Sequence, residues 1–558
     1  MSEKKPTMSN SKLLYYKFWP ENIPKTIEIP NISVDTNLKN TALNYPDAIA
    51  TTYFGNQLTY KKLDEIVDRI ATYLANDLGI KKNETVALHF SNVPPCIACY
   101  YAVLRIGARV TLLSPLFQAL EIKHQLNDSE TKLLIVWEGF SFVDPVIPET
   151  CVEKVIYSSL GPWFTPDPTV PGDPISTDEN KIYLEDMIPK TEPNPPKVEI
   201  DPENDIACLQ YTGGTTGMPK GAMLTHKNLV ANIEQAKVWF PEAQIGKEVW
   251  LTALPLYHIY AQQVCMNFAI KLVANQILVA NPRDAEELLE EVSKHKITIF
   301  PGVAAMYNNL NNFPKVKDYD LSSLKYCLSG AGPLPKEIQD RFEELTGAKL
   351  REGFGLTEAG PLTHVNPLDG RFKNGTVGFP LPNTDMKIVD IETGTKILPV
   401  NEVGELCVKG PQIMKGYYKK DEVNKQTIRD GWLFTGDGAL MDEEGYTVIK
   451  TRLKNLIKYK GHSVYPDEVE AFLLEHEAIL ECGVIGIPDP KTGGENIKAF
   501  IALQPEFVGK ITESEIIDWA KLQMAAYKYP REIEFLDELP KTNVGKILHR
   551  KLRDRDFD

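Results

Sequence analysis

The chain lacks several features that would assign it at once. It has no excess of positive charge, since 61 basic against 76 acidic side chains leave −15 at pH 7. Nucleic-acid affinity rests on clustered Lys and Arg that displace condensed counterions, so nucleic acid is excluded as a main partner. It has no disulfide framework: the eight cysteines are scattered, and most sit inside apolar stretches such as CIACYYAVL. Cys96 and Cys99 form a CxxC, yet no second pair or nearby histidine follows. They therefore read as buried small hydrophobes in a reducing compartment, not as a zinc or redox pair. The N-terminus MSEKKPTMSNSKLL is polar and lacks an apolar leader, so export is not expected. Spanning a membrane needs roughly 20 largely uncharged residues. The most membrane-like stretch, Cys96 to Leu113, is broken by Arg105 and Arg109. These absences describe a cytoplasmic chain with no transmembrane segment. They are compatible with a peripheral membrane contact and with a homodimer.

What is present is ordinary globular composition, 558 residues with 43% hydrophobic and 25% charged. At roughly 150 residues per domain that length is enough for several folding units. LTYKKLDEIVDRIATYLANDLGI has helical spacing and reaches Gly79, a suitable C-terminal cap. ETVALHF reads as a strand. The alternation continues through the apolar segment from Pro95 to Gly107, RVTLLSP, a polar helix from Ala119 to Asp128, and KLLIVW. Strands and helices in turn predict an α/β fold with a mainly parallel sheet covered on both faces. A Pro- and Asp-rich stretch from Gly161 to Pro202 reads as a loop between structural units. After about Gly370 short alternating strands predict a small β-rich subdomain, and an α+β module begins near Arg452. No internal repeat is visible.

The most informative segment is CLQYTGGTTGMPKGAMLTHKNLVANIEQ, from Cys208 to Gln235, which reads as a strand, a loop of small residues and then a helix. Gly213, Gly214 and Gly217 would let the backbone approach a phosphate and present N–H groups. Thr212, Thr215 and Thr216 would add hydroxyls, and Lys220 a charge. It is not a Walker A loop, because Met218 and Pro219 separate Gly217 from Lys220. The same small residues could also make a plain tight turn. Thr225 is a candidate N-cap for the following helix, which leaves His226 structural. His258 lies in LPLYHIYA, a strand-like apolar segment, where a histidine is more often a satisfied core residue than a base. GFGLTE lacks the third glycine of a dinucleotide fingerprint, so a Rossmann NAD site is poorly supported. Glu358 offers hard oxygens of the kind that Mg²⁺ takes. Asp437 can accept from a pair of sugar hydroxyls, and Arg452 can donate to sugar or phosphate.

YTGGTTGMPKGAMLTH closely resembles the phosphate loop of the adenylate-forming superfamily, which contains acyl-CoA synthetases, luciferases of the firefly type and peptide-synthetase adenylation domains. Further family-like segments follow in the expected order: LPLYHIYA at 254–261, SGAGPLP at 329–335, EGFGLTEAG at 352–360, GWLFTGD at 431–437, RLKNLIKYKG at 452–461 and PKTNVGKI at 540–547. The likeness covers nearly the whole chain. LQYTGGTTG, NPRD at 281–284, GELCVKGPQIMKGYY at 404–418 and LPKTNVGKILHRKLRD at 539–554 bring it nearest to bacterial-type long-chain fatty-acid–CoA ligases.

The resemblance implies a large N-terminal lobe of layered α/β subdomains, residues 1–451, which includes a small β-barrel-like subdomain at about 370–451. It also implies a mobile α+β C-terminal domain, 452–558. Adenine is expected against Gly330, Ala331, Gly332, Phe354 and Gly355, and phosphate on the loop from Thr212 to Gly217, on Lys220 and on Thr357. Glu358 is expected to hold Mg²⁺, and Asp437 and Arg452 the ribose. His258, with Tyr257, would border the carboxylate pocket. Lys546 would swing onto the carboxylate and α-phosphate as a mobile point charge. The tail would then rotate on Lys454 and bring in Lys458 to Gly461, where a glycine leaves room for the CoA arm.

A carboxylate must be activated before a thiol can attack it. Its attack on the α-phosphorus of MgATP gives an acyl-adenylate and pyrophosphate, and CoA then displaces AMP. These requirements are positional and electrostatic, which suits a site without an obvious nucleophile. Thr451, Phe434 and Gly438 depart from the fatty-acyl pattern. They leave open a medium- or long-chain, a hydroxylated short-chain or an aryl acid. A luciferase-like oxygenase, a domain that loads a carrier protein in trans, and a non-catalytic binding module are the other readings. The presence of Glu358, Asp437, Arg452 and Lys546 speaks against the last.

Overall fold

The computed structural model describes residues 10–164, 181–212, 218–368, 370–459, 462–488, 495–541 and 547–557. Two compact units emerge, Trp19–Asp385 with Lys409–Leu433, and Met1–Phe18 with Met386–Val408 and Phe434–Asp558.

The larger unit is built on two sheets. The first runs in the order Ile182–Tyr183, Lys154–Ser158, Thr131–Trp137, Thr85–His89, Arg109–Leu112, Ile206–Thr212 and Lys220–Thr225. All of its pairings are parallel except the last, an antiparallel hairpin. The second runs Phe379–Pro380, Leu362–Val365, Lys349–Gly355, Tyr326–Ser329, Ile299–Gly302, Val249–Thr252, Asn275–Leu278, Ile49–Tyr53 and Asn56–Thr59, parallel at its centre and antiparallel at both ends. Parallel strands need helices on their faces. Helix Pro94–Arg105 is buried at every position, which accounts for its membrane-like composition. Among the described residues no helix is long and apolar enough to cross a membrane. Cys96 and Cys99 lie inside that helix, where burial pushes both thiols up, Cys96 to about 12.

Three expectations need correction. The stretch from Gly161 to Pro202 does not separate structural units, because Ile182–Tyr183 is an edge strand of the same sheet that resumes at Ile206. Its Pro and Asp content carries no information on which sheet the flanking strands join. LPLYHIYA is not a strand. The strand ends at Thr252, and residues 254–258 turn into a helix that continues as the π-helical turn Ala261–Asn267. An apolar run this short has no period to separate strand from buried helix. Finally, the helix predicted to reach Gly79 spans Tyr60–Asn76 and is capped by Asp77; Gly79, at φ +71°, belongs to the turn beyond it. The helix Ala119–Asp128 falls where its polarity placed it.

The smaller unit carries an antiparallel pair, Trp432–Met441 with Thr447–Arg452. It also contains a three-stranded sheet of Ile479–Pro488, Glu495–Leu503 and Glu532–Phe535. Helices Pro466–Leu473 and Glu513–Gln523 close a separate apolar core that includes Val469, Leu473, Val484, Ile497, Ile501 and Ile516.

One buried ionic knot ties the helical layer of the larger unit together. Arg105, at the end of its apolar helix, has a side chain 1% exposed and reaches Asp35 at 2.8 Å, Asp64 at 2.6 Å and Asp68 at 2.7 Å. Removing the cation strands Asp35, whose side chain is 5% exposed, in a medium that solvates it poorly and leaves Asp64 and Asp68 to repel it. Arg105→Ala is therefore expected to destabilise the protein by about 3–5 kcal/mol, read as a lowered urea midpoint. A loss within about 1 kcal/mol, the range for a surface pair, would contradict this role.

Candidate active site

Strand Ile206–Thr212 is joined through residues 213–219 to strand Lys220–Thr225, with Thr212 and Lys220 as cross-strand partners. The glycine–threonine loop therefore opens a hairpin and not a helix. The helix begins only at His226, behind Thr225, whose side chain accepts from Asn228 N in a capping box. Gly213, Gly214, Thr215, Thr216 and Gly217 lie outside the described residues, while the loop's two ends, Thr212 and Lys220, are set side by side. Gly221 is needed because a Cβ there would press on the Tyr211 ring at 3.0 Å. Burial holds His226 near pKa 4, and its Nδ1 accepts from Val34 N, so its role is structural.

Strand Lys349–Gly355 leads to the turn that carries Thr357 and Glu358. A Cβ on Gly355 would overlap the Pro361 carbonyl, and that carbonyl also accepts from Leu356 N at 3.0 Å. The chain thus folds back tightly and fixes where Glu358 leaves the sheet. Phe354 is half-buried, with its ring edge-on to His364 at 6.1 Å. Ser329 and Glu352 are in register on adjacent parallel strands, so SGAGP and Phe354 emerge at one end of the sheet. There Gly330 accommodates the Tyr260 ring, which a Cβ would meet at 2.9 Å, and Ala331 takes φ +67°. Gly332 is half-buried beside it. Burial raises the Glu352 carboxyl to about 8 against the pull of the Leu334 N–H, so this strand end is uncharged at neutral pH. Tyr257 and His258 occupy the turn before the π-helical segment. The Tyr257 carbonyl accepts from Gln210 Nε2 at 2.8 Å, and His258 Nδ1 accepts from Tyr260 N at 3.2 Å.

A residue that motif reading passed over joins two of the predicted ones. Tyr417 donates its hydroxyl to Glu358 Oε1 at 2.5 Å, and the Lys220 ammonium stands 5.4 Å from the centre of its ring. The run around it pairs with the hairpin through Met223 N to Gly416 O, Lys415 N to Met223 O and Tyr418 N to Gly221 O, while Met414 N donates to Glu358 O. Tyr418 and Lys419 bind Glu130, and Lys420 binds Asp128. The sequence signal is the segment GELCVKGPQIMKGYY at 404–418, which carries part of the likeness to fatty-acid–CoA ligases but gives Tyr417 no role.

In the smaller unit Asp437 and Arg452 face each other across a strand pair, with Arg452 Nε 2.9 Å from Asp437 Oδ1. Arg452 also donates to the Thr435 carbonyl at 3.1 Å, and Thr435 Oγ1 accepts from Asp437 N. Asp437 is buried, whereas the Arg452 side chain is 41% exposed. A Cβ on Gly438 would sit 3.1 Å from Leu453 Cδ2, the end of a flexible side chain. Lys454 is exposed on the short turn Leu453–Asn455, and Lys458 is exposed on strand Ile457–Tyr459. Gly461 and Lys546 lie outside the described residues.

Residues 38–418 match the family model described as AMP-binding enzyme, and residues 468–546 the one described as AMP-binding enzyme C-terminal domain. A long-chain-fatty-acid–CoA ligase of Bacillus subtilis (strain 168) is 40% identical, with 97% of each chain covered. One of Escherichia coli O6:H1 is 36% identical over 97% of this chain and 98% of the relative. Among solved structures, an anthranilate CoA ligase in complex with anthranoyl-AMP superposes with a TM-score of 0.83 at 26% identity, over 94% of this chain and 98% of that one.

The tight return at Gly355 yields a test. Gly355→Ala forces a methyl group into a backbone carbonyl, whereas a methyl at Gly353 meets only the movable Leu328 side chain at 3.2 Å. Gly355→Ala is expected to lose about 1–3 kcal/mol in urea unfolding and Gly353→Ala clearly less; equal losses would contradict the packing argument.

Proposed function

The chain belongs to the AMP-binding enzyme family, and from that premise we propose that it is an ATP-dependent, AMP-forming acyl-CoA ligase. The observation that carries the reading is the Glu358, Tyr417, Lys220 series beside the paired ends of the glycine–threonine loop. It sets an acid for a hard cation and an ammonium for phosphate at one hairpin, as activation by a nucleoside triphosphate requires.

The residues take the following parts. Thr212, Lys220 and the loop between them bind the phosphates, with Thr357 adding a hydroxyl. Gly330, Ala331, Gly332, Phe354 and Gly355 flank the adenine. Asp437 and Arg452 take the ribose. Glu358 fits Mg²⁺: it offers a hard oxygen, and among the described residues its Oε2 takes no hydrogen bond. When bound, Mg²⁺ neutralises charge on the ATP oxygens. Tyr257 and His258 place the carboxylate, which attacks the α-phosphorus; the bond to pyrophosphate breaks and an acyl-adenylate forms. Lys546 offsets the charge that builds in that step. The tail from Arg452 then turns about Lys454 and offers Lys458 and Gly461 to CoA, whose sulfur displaces AMP. The short turn at Leu453–Asn455, between two strand pairs, supports a hinge at this point. Side chains hold and orient the reactants throughout, and none forms a covalent intermediate.

The acid is proposed to be a medium- or long-chain fatty acid, in line with the relatives' names. A hydroxylated short-chain or aryl acid is the second reading. It is favoured by the departures at Phe434, Gly438 and Thr451 and by the likeness to an anthranilate CoA ligase. The buried cysteines, seven of the eight, support a cytoplasmic location. Nothing in the fold or in the relatives' names supports the homodimer.

With acid, MgATP and CoA the products are expected to be AMP and pyrophosphate; ADP would exclude the mechanism. A CoA-dependent AMP-release assay over fatty acids of graded length and over benzoate-type acids separates the two substrate readings. Lys546→Ala is expected to abolish adenylate formation while still converting a supplied acyl-adenylate to the thioester. Equal loss of both half-reactions would overturn the part given to the tail.

A further inference from the structure

Lys220 and Glu358 carry opposite charges at one hairpin and are both reserved for the nucleotide, yet among the described residues no ion pair joins them. At 4 Å in a partly buried site such charges attract by several kcal/mol, about 4 at an effective dielectric of 20. Tyr417 contacts both of them. Its ring faces the ammonium at 5.4 Å, and its hydroxyl holds Glu358 Oε1 at 2.5 Å. The ring's position does not depend on either charge. Met414, Lys415, Gly416 and Tyr418 are fixed through main-chain bonds to Glu358, Met223 and Gly221, and Tyr417 itself exchanges bonds with the Asn424 side chain, Tyr417 N to Oδ1 at 2.6 Å and Nδ2 to Tyr417 O at 2.9 Å. The side chain is 7% exposed, so it cannot swing away into solvent.

We propose that Tyr417 is a positioning residue for the metal–nucleotide site, resting on the function proposed above: its ring keeps Lys220 and Glu358 from neutralising each other, and its hydroxyl aims the Glu358 carboxylate. The two tasks belong to different atoms. A hydroxyl bonded to a carboxylate is charge-assisted and geometrically demanding, and it commits Oε1 while leaving Oε2 to a hard cation. The ring face attracts the ammonium through its quadrupole without taking its protons, so Lys220 keeps its donors for phosphate.

Substitutions separate the tasks. Tyr417→Phe keeps the ring and removes the hydroxyl; Tyr417→Leu removes both. ATP binding is measured by calorimetry at graded Mg²⁺, without acid or CoA, on the full chain. For Tyr417→Phe the Mg²⁺ concentration for half-maximal ATP binding is expected to rise about tenfold, the worth of one hydrogen bond to a charged group, with affinity restored at saturating Mg²⁺. For Tyr417→Leu, Mg²⁺ is expected not to restore it, because Lys220 then pairs with Glu358. Adding Glu358→Gln to Tyr417→Leu removes that trap and is expected to recover ATP affinity measured in the absence of Mg²⁺.

An unchanged Mg²⁺ requirement in Tyr417→Phe would overturn the aiming role. Failure of Glu358→Gln to recover affinity in the leucine background, with melting temperatures matched, would overturn the separating role. If the native protein binds no ATP at any Mg²⁺ concentration, the functional reading falls first and this inference with it. Native binding with an unresponsive Tyr417→Phe overturns the inference alone.

Discussion

Lys220 and Glu358 carry opposite charges and Tyr417 touches both, and the architecture around the hairpin is what holds these three groups together. Lys220 closes the loop on one strand, and Glu358 leaves the other sheet on a turn fixed by Gly355. The run from Met414 to Tyr418 is the part that touches both, through main-chain bonds to the hairpin and to the Glu358 carbonyl. Backbone pairing carries the positional information here, because main-chain bonds do not rearrange when a side chain changes its charge partner. The bonds from Tyr418, Lys419 and Lys420 to Glu130 and Asp128 add a second tether at the rim of the seven-stranded sheet. Tyr211 joins the same tether, donating its hydroxyl to Asp128 at 2.8 Å. The hairpin is thus gripped at its base.

The parallel sheets provide the rigidity on which that grip depends. Buried strands such as Thr85–His89 leave no polar side to solvent, and a helix like Pro94–Arg105 can be apolar all round only because it is enclosed. Enclosure, however, makes any charge in the helical layer expensive. Arg105 is tolerated because three aspartates from two other helices converge on it, and the knot in turn sets how those helices meet. Apolar enclosure and ionic registration are therefore two sides of one packing solution. Residues 330–332 and 356–358 fall in connections that follow strands, where a fixed sheet can aim them.

Much of this was legible in the sequence wherever a period or a motif existed. The strands ETVALHF and KLLIVW, the helix from Ala119 to Asp128, the Thr225 cap and the buried CxxC all follow from local chemistry. Legibility failed where the outcome depends on partners distant in the chain. That Lys220–Thr225 pairs back on Ile206–Thr212 is set by the sheet it joins, and GAMLT carries no signal to separate a strand from the start of a helix. LPLYHIYA is apolar because it is buried, and burial alone does not choose between strand and turn. Tyr417 was invisible because its importance lies in what it contacts, Lys220 nearly two hundred positions before it and Glu358 fifty-nine. Arg105 was noticed only as an interruption of an apolar run, since the acids that balance it come from other helices.

The departures within 430–455 follow from the same reasoning about buried charge. Thr451 is buried and lies opposite Gly438, one residue from the Arg452 and Asp437 pair. An aspartate at that point would be a second carboxylate withdrawn from water beside Asp437, and it would need the Arg452 guanidinium for itself. Threonine removes that demand. The guanidinium is then divided between Asp437 and the Thr435 carbonyl, and enough of it remains exposed to meet a ligand. At Gly438 a Cβ would come within 3.1 Å of the Leu453 side chain, a contact that a small shift of that side chain relieves. Neither change removes a group able to bind the nucleotide. Both positions flank the Asp437 and Arg452 pair and leave its two side chains in place.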